Sequence, residues 1–246
     1  GAALWALENE TIPININEFF KESGHEFPHH KPLSEAKSKV RFMKSVRGKV
    51  NKDDVCILGL DVGSTTTKAV LMRKEDQAIL AGVYLRTNGD PVAASRKCYE
   101  GINSQLDVPV NIIGLGITGS GRQISGLHAL SPAVINEIIA HARAAAFFDP
   151  QVDTLFEIGG QDAKYTYLTN GVASDYAMNE ACSAGTGSFL EESALEALNL
   201  KVEDIGEIAI KGEQPPNFND QCAAFIGSDI KTAIQNGISR EDIAAG

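Results

Sequence analysis

The sequence predicts an α/β protein made of two related halves around a cleft, the second half cut short. Three features predict it. Two short apolar runs flank a Gly-Ser pair between Val55 and Met72, the pattern of a β-hairpin. Its turn, Asp61-Val62-Gly63-Ser64-Thr65-Thr66-Thr67-Lys68, is echoed 96 positions on by Glu157-Ile158-Gly159-Gly160-Gln161-Asp162-Ala163-Lys164, which keeps the acid, aliphatic, glycine and lysine at the same spacing. Internal similarity of this kind can set a fold. Each turn opens a three-strand meander followed by helices, but only the first half runs on to a further strand.

Taken in order, Gly1–Asn9 reads as the end of a helix. Residues 9–54 carry Pro13, Pro28 and Pro32, clustered His25, His29 and His30, and a basic stretch from Lys37 to Lys52. Pro28 interrupts any helix through these histidines, so their spacing is not that of a helical metal-binding pair, and this segment reads as a linker with a possible helix over Ser34–Lys44, not a metal site. Strands are expected at Val55–Asp61, Thr66–Arg73 and Ala78–Arg86. Pro91 suits the first turn of a helix, which Val92–Leu106 continues with Ala93, Ala94, Cys98 and Ile102 inward. Val110–Gly116 reads as a buried strand, Thr118–Arg122 as a tight loop and Asn136–Phe148 as a helix on which Glu137 and His141 share a face. That pair suits catalysis or a metal, or more simply an ion pair. In the second half, strands fall at Thr154–Ile158, Ala163–Leu168 and Val172–Ala177, with Thr169-Asn170-Gly171 as a φ > 0 turn. Helices follow at Gly187–Leu198, Val202–Ile210 and Ala223–Asn236. Gly237 closes the last of these, and Ser239-Arg240-Glu241-Asp242 caps another. The domains are therefore read as 1–54 (the end of a preceding module and a linker), 55–150 (first half) and 151–246 (second half, incomplete).

Composition limits the function. With 22 Lys and Arg against 32 Asp and Glu, the net charge is −10, unsuited to non-specific nucleic-acid binding. At 43% hydrophobic residues the chain can build real cores, and no apolar run reaches the roughly eighteen residues of a membrane span. The first residues lack a basic n-region, so no signal peptide is expected. Four cysteines, Cys56, Cys98, Cys182 and Cys222, do not form the dense framework of a small secreted protein, which points to a reduced, cytoplasmic setting.

The first turn carries one carboxylate, one glycine and a row of hydroxyls. Glycine admits close backbone approach to a ligand, and one carboxylate plus phosphate suits Mg²⁺. A phosphate site and an ordinary hairpin turn both fit the stretch taken alone. A polyphosphate in the cleft would touch both turns. No GxxxxGK[ST] loop is present. Cys182 and Cys222 each precede a helix, whose dipole favours a thiolate. An iron–sulfur cluster takes four cysteines, so two chains would be needed. Two unrelated thiols fit the spacing as well.

Together these motifs resemble the ATP-dependent activators of 2-hydroxyacyl-CoA dehydratases and the related ATPase subunits of benzoyl-CoA reductases. The resemblance runs from about Ile57 to Gly246. It rests on Asp61–Lys68, Thr118–Arg122, Glu137–Ala142, Ile158–Asp162, Ala177-Met178-Asn179, Cys182–Glu191 and Cys222. It implies the duplicated actin-like, ribonuclease-H-type fold and a homodimer bridged by one [4Fe–4S] cluster on Cys182 and Cys222 of each chain. ATP hydrolysis would drive a low-potential electron to an acyl-CoA dehydratase or reductase component. It also implies phosphate contacts from Gly63, Ser64, Thr65, Thr66, Lys68, Gly159 and Gly160, with Gly185, Thr186 and Gly187 beside them. Asp61 would lie near Mg²⁺, and Gln161 or Asp162 would orient the attacking water. Gly1–Glu8 resembles the closing helix of one module, as in large activases with two ATPase modules, so this chain would span the linker and most of the second. The family's later glycine-rich adenosine segment is missing, and Asn217–Gln221 replaces its serine-rich approach to the second cysteine. A sugar or acetate kinase-like phosphotransferase of the same fold and a non-catalytic docking module are the alternatives.

Overall fold

The computed structural model describes residues 2–9, 27–42, 46–179, 185–219 and 223–246. They divide into two units, 38–203 and 1–37 with 204–246.

In the first unit, β1 (Val55–Val62), β2 (Thr66–Arg73), β3 (Ile79–Arg86) and β4 (Asn111–Thr118) form a sheet in the order β3-β2-β1-β4. The β1–β2 and β2–β3 pairs are antiparallel, whereas β1 and β4 run parallel. A parallel pair needs a crossover, here made by the helix α3 (Pro91–Asn103). Asp90 caps α3 by accepting the Ala93 N–H at 2.9 Å, and Pro91 sits in its first turn. Alternation along β1 sends Cys56, Leu58, Leu60 and Val62 into the core with Leu71, Cys98, Ile102 and Ile117. Ser95 joins Ala94, Cys98 and Ile102 on the buried side of α3, while Ala93 is only half-buried. At the other end of β1, Arg73 pairs with Asp54 at 3.0 Å and Asp76 at 2.8 Å.

After β4 comes α4 (Arg122–Ala129), a helix the sequence pattern does not announce. It is short, contains Gly126 and ends on Leu130 in the left-handed conformation (φ 52°). Then α5 (Glu137–Phe148), capped by Asn136, leads to a second antiparallel sheet, β5 (Thr154–Ile158), β6 (Ala163–Thr169) and β7 (Val172–Met178), in the order β5-β6-β7. Asn170 and Gly171 hold the β6–β7 turn at φ 53° and 74°. The helix α6 (Gly187–Leu198) follows.

The second unit contains α1 (Ala2–Glu8), α2 (Leu33–Ala36), α7 (Ile205–Ala209), α8 (Ala223–Gln235) and α9 (Arg240–Ala245). The helix expected over Ser34–Lys44 is reduced to α2 and a 3-10 turn at Lys37–Lys39; residues 43–45 lie outside the described residues. Within the expected linker, His29 is pinned by a bridge to Pro216. The His30 N–H donates to Pro215 O at 2.8 Å and the Asn217 N–H to Pro28 O at 2.6 Å. His29 Nδ1 lies 3.0 Å from the Gln214 carbonyl, so its ring is engaged in structure. Ser239 caps α9, accepting the Asp242 N–H at 3.0 Å, and Gly237 has φ 73°.

Candidate functional site

Both hairpins are built the same way. In the first, Asp61 on β1 lies opposite Lys68 on β2, and their side chains pair at 3.0 Å. The Gly63 N–H donates to Thr66 O at 3.0 Å across the turn. A Cβ at Gly63 would meet that carbonyl at 2.8 Å, which is why a glycine stands there. In the second, Glu157 on β5 lies opposite Lys164 on β6, and the Gly159 N–H donates to Asp162 O at 2.8 Å. The acid, the turn glycine and the lysine thus recur in structure as in sequence.

The first turn is held from β3. Thr87 donates its N–H to Thr65 O at 2.9 Å and its hydroxyl to Gly63 O at 2.7 Å, and it shares a buried contact of 2.9 Å with Thr67. The second turn is held from α6. The Gly187 N–H donates to Gly159 O at 2.9 Å, the Ser188 N–H to Gly160 O at 2.8 Å and the Thr186 hydroxyl to Gly160 O at 3.0 Å. The turns touch: a Cβ on Gly160 would lie 2.3 Å from Thr65 Oγ1. Behind the first turn, Gly119 has φ 91° and leaves room for Asp61, whose Oδ1 would be 2.5 Å from a Cβ at that position. Gly121 donates its N–H to Val62 O at 2.8 Å.

The result is a cavity of about 120 Å³ reached by Asp61, Ser64, Lys68, Gly160, Asp162 and Lys164. Gly63, Thr65, Thr66, Gly159 and Gln161 line it as well. Beside it, a larger cavity of about 500 Å³ shares Thr65 and Gly160 and extends to Tyr84, Gly187 and Glu191. There Arg86 donates to both oxygens of Glu191 at 2.9 Å, tying β3 to α6. Gly185 and Thr186 are absent from both linings, and Thr186 and Gly187 direct their donors at the turn itself.

Glu137 and His141 also reach the cavity, though not as a pair. Glu137 bonds Lys164, and His141 Nδ1 lies 2.5 Å from Glu157 Oε1. The contact is a close ion pair when the ring is protonated. The contact with Glu157 and that residue's charge raise the pKa of His141 above its ordinary 6.5. Burial opposes the charge on Glu157, yet His141 and Lys164 hold its pKa below the ordinary value. Burial likewise disfavours charge on Lys164, but Glu137 and Glu157 keep its pKa raised. The sequence pattern overlooked Lys164 as a site residue, although its equivalence to Lys68 was there to read.

Asp61, beside hydroxyls and backbone N–H groups, is a donor set that fits Mg²⁺ with phosphate. Among the described residues no group of three or more His, Cys, Asp or Glu could hold a metal. Cys182 and Cys222 lie outside the described residues. Cys56 and Cys98 are fully buried, and burial pushes the Cys98 thiol up to about 11, so both are core residues.

Residues 58–246 match the family model described as the BadF/BadG/BcrA/BcrD ATPase family. The chain belongs to this family. It is 31% identical over 192 residues to the (R)-2-hydroxyglutaryl-CoA dehydratase activating ATPase of Acidaminococcus fermentans, covering 77% of this chain and 71% of that one. One of the benzoyl-CoA reductase polypeptides of Thauera aromatica is 25% identical over 193 residues, covering 76% of this chain and 67% of its own length. The structure of the 2-hydroxyisocaproyl-CoA dehydratase activator of Clostridium difficile with bound ADPNP superposes with a TM-score of 0.67 at 30% identity, covering 78% of this chain and 70% of that one. The fold is the actin-like α/β ATPase fold that the resemblance implied.

Proposed function

We propose that this chain is an ATPase module that couples hydrolysis to low-potential electron transfer, from a [4Fe–4S] cluster to a 2-hydroxyacyl-CoA dehydratase or a related reductase component. One observation carries the site: two hairpins with the same acid, turn glycine and lysine meet at Thr65 and Gly160 around one cavity. Residues 55–150 and 151–246 are read as the two copies, supported by the shared register of Asp61 with Lys68 and Glu157 with Lys164.

In this reading the turn at Gly63, Ser64, Thr65 and Thr66, with Lys68, binds phosphate on one side, and Gly159 and Gly160 bind it on the other. Thr186 and Gly187 keep the second turn in place. Asp61 would hold Mg²⁺, which neutralises phosphate charge. Gln161 or Asp162, both exposed on the second turn, would orient the attacking water. Cys182 and Cys222, two thiols per chain, would hold the cluster between two copies or two modules; when bound, it supplies the electron. The ADPNP-bound activator and the named activating ATPases support this assignment.

The test is MgATP hydrolysis by the full chain with Asp61→Ala. We expect hydrolysis to be lost and the thermal unfolding profile to be kept. Normal turnover by this variant would remove the site.

A further inference from the structure

The two hairpins differ in one way that their sequences hide. In the first, acid and lysine satisfy each other across the strands, Asp61 to Lys68 at 3.0 Å. In the second, Glu157 and Lys164 stand in the same register, but each turns to α5: Lys164 to Glu137 and Glu157 to His141. Glu137 and His141 are one helical turn apart on one face of α5. Asn136 fixes the start of this helix by accepting the Ile138 N–H at 2.9 Å, and Ala142 is buried. Two residues of one rigid element therefore grip two neighbouring strands at the base of the Gly159–Gly160 turn.

We propose that His141 is a positioning residue for nucleotide hydrolysis: by holding Glu157 while Glu137 holds Lys164, it keeps the second hairpin from closing on its own acid–lysine pair and sets the Gly159–Gly160 turn against Thr65. This rests on the ATPase reading of the cavity. The charged groups facing His141 are Glu157 on β5, Lys164 on β6 and Asp61 on β1, with Glu137 on its own helix. Without His141, Glu157 is left half-buried, and its Oε2 already has no hydrogen-bond partner. Lys164 is the remaining cation opposite it in register. Glu157 then competes with Glu137 for Lys164, because an unpaired buried charge is costly. Pulling Lys164 across the strands moves the start of β6, next to Asp162, which accepts the Gly159 N–H. A displacement of about 1 Å at such a site costs on the order of a hundredfold in rate.

The test is steady-state MgATP hydrolysis by the full chain from about pH 5.5 to 8.5, around the histidine range, with His141→Ala, His141→Gln and Asp61→Ala. His141→Ala is expected to lower kcat by about ten- to a hundredfold, with a smaller change in KM. In the wild type, kcat declines as pH rises and His141 loses its proton. Gln at this position can still donate an N–H to Glu157, so His141→Gln recovers most of kcat and lacks that decline. A His141→Ala variant within twofold of wild type, or a His141→Gln variant that keeps the decline, overturns the positioning role. If Asp61→Ala still hydrolyses ATP, the site reading itself fails; if Asp61→Ala is dead and His141→Ala is normal, only the positioning role fails.

Discussion

Gly160 is the residue through which the hairpins meet. A methyl group there would lie 2.3 Å from Thr65 Oγ1 and 2.7 Å from its Cβ, so Gly160→Ala must push the turns apart. Hydrolysis should fall about tenfold or more, with little change in unfolding temperature because the turn is at the surface of the cavity. Unchanged kinetics would show that the turns need not touch. The His141–Glu157 pair sets a pH window for stability. A raised histidine pKa contributes stability that is complete below the unfolded value of 6.5 and fades as pH rises through the folded one. A lowered carboxylate pKa contributes above its ordinary 4.5 and fades as pH falls. The pair therefore helps most between these limits. Thermal unfolding of wild type and His141→Ala, compared across pH, should differ most there and converge on the alkaline side. A constant difference would contradict the linkage.

At the level of elements, the strands and their order of appearance were legible because alternation in β1 and the two acid-glycine turns leave strong local marks. Helix α4 was not: in its eight residues Ser125 and Gly126 form the buried side while Ile124 and Leu127 are exposed, the reverse of what an apolar pattern predicts. The partner exchange on α5 was half legible. The i, i+4 spacing put Glu137 and His141 on one face, but their partners come from strands that sequence could not place opposite them. Within the expected linker, Pro28–His30 are held by Gln214–Asn217, mostly through backbone bonds that leave no mark in side-chain pattern. Asp242 closes that unit. Its Oδ1 accepts the N–H groups of Glu213 and Gln214 at 2.7 Å each, and its Oδ2 accepts the Ser239 hydroxyl at 2.5 Å. Burial works against its charge, but these bonds hold its pKa down. Asp242→Ala should cost about 1–3 kcal/mol, measured by urea unfolding near neutral pH. The cost should shrink as pH falls through the carboxylate range, since protonation already removes the charge. A variant as stable as wild type would show these bonds to be dispensable.

At the scale of the whole molecule, the proposed coupling requires hydrolysis to reach the cysteines. The chain connects them closely. Cys182 stands five positions before Gly187, whose N–H, with that of Ser188, grips the carbonyls of Gly159 and Gly160. In the proposed coupling, a change in the second turn as phosphate is released would pull on the start of α6, five positions after Cys182 in the chain. Cys222 immediately precedes α8. Helix N-termini favour negative charge, which suits thiolate ligands and a cluster that becomes more anionic on reduction. Two such thiols per chain would make half of a four-cysteine set, so the proposed ligand set would be complete only in a pair of modules. Anaerobically prepared full chain should therefore contain about four iron and four sulfide per two chains. Serine at Cys182 or at Cys222 should abolish the brown absorption and the activation of the dehydratase component. Cys98→Ser should keep both, because Cys98 is buried in the core with its thiol pKa raised to about 11. Iron and sulfide retained at full stoichiometry in a Cys182→Ser, Cys222→Ser double variant would rule out this ligand set, while leaving the nucleotide site to be judged by Asp61→Ala alone.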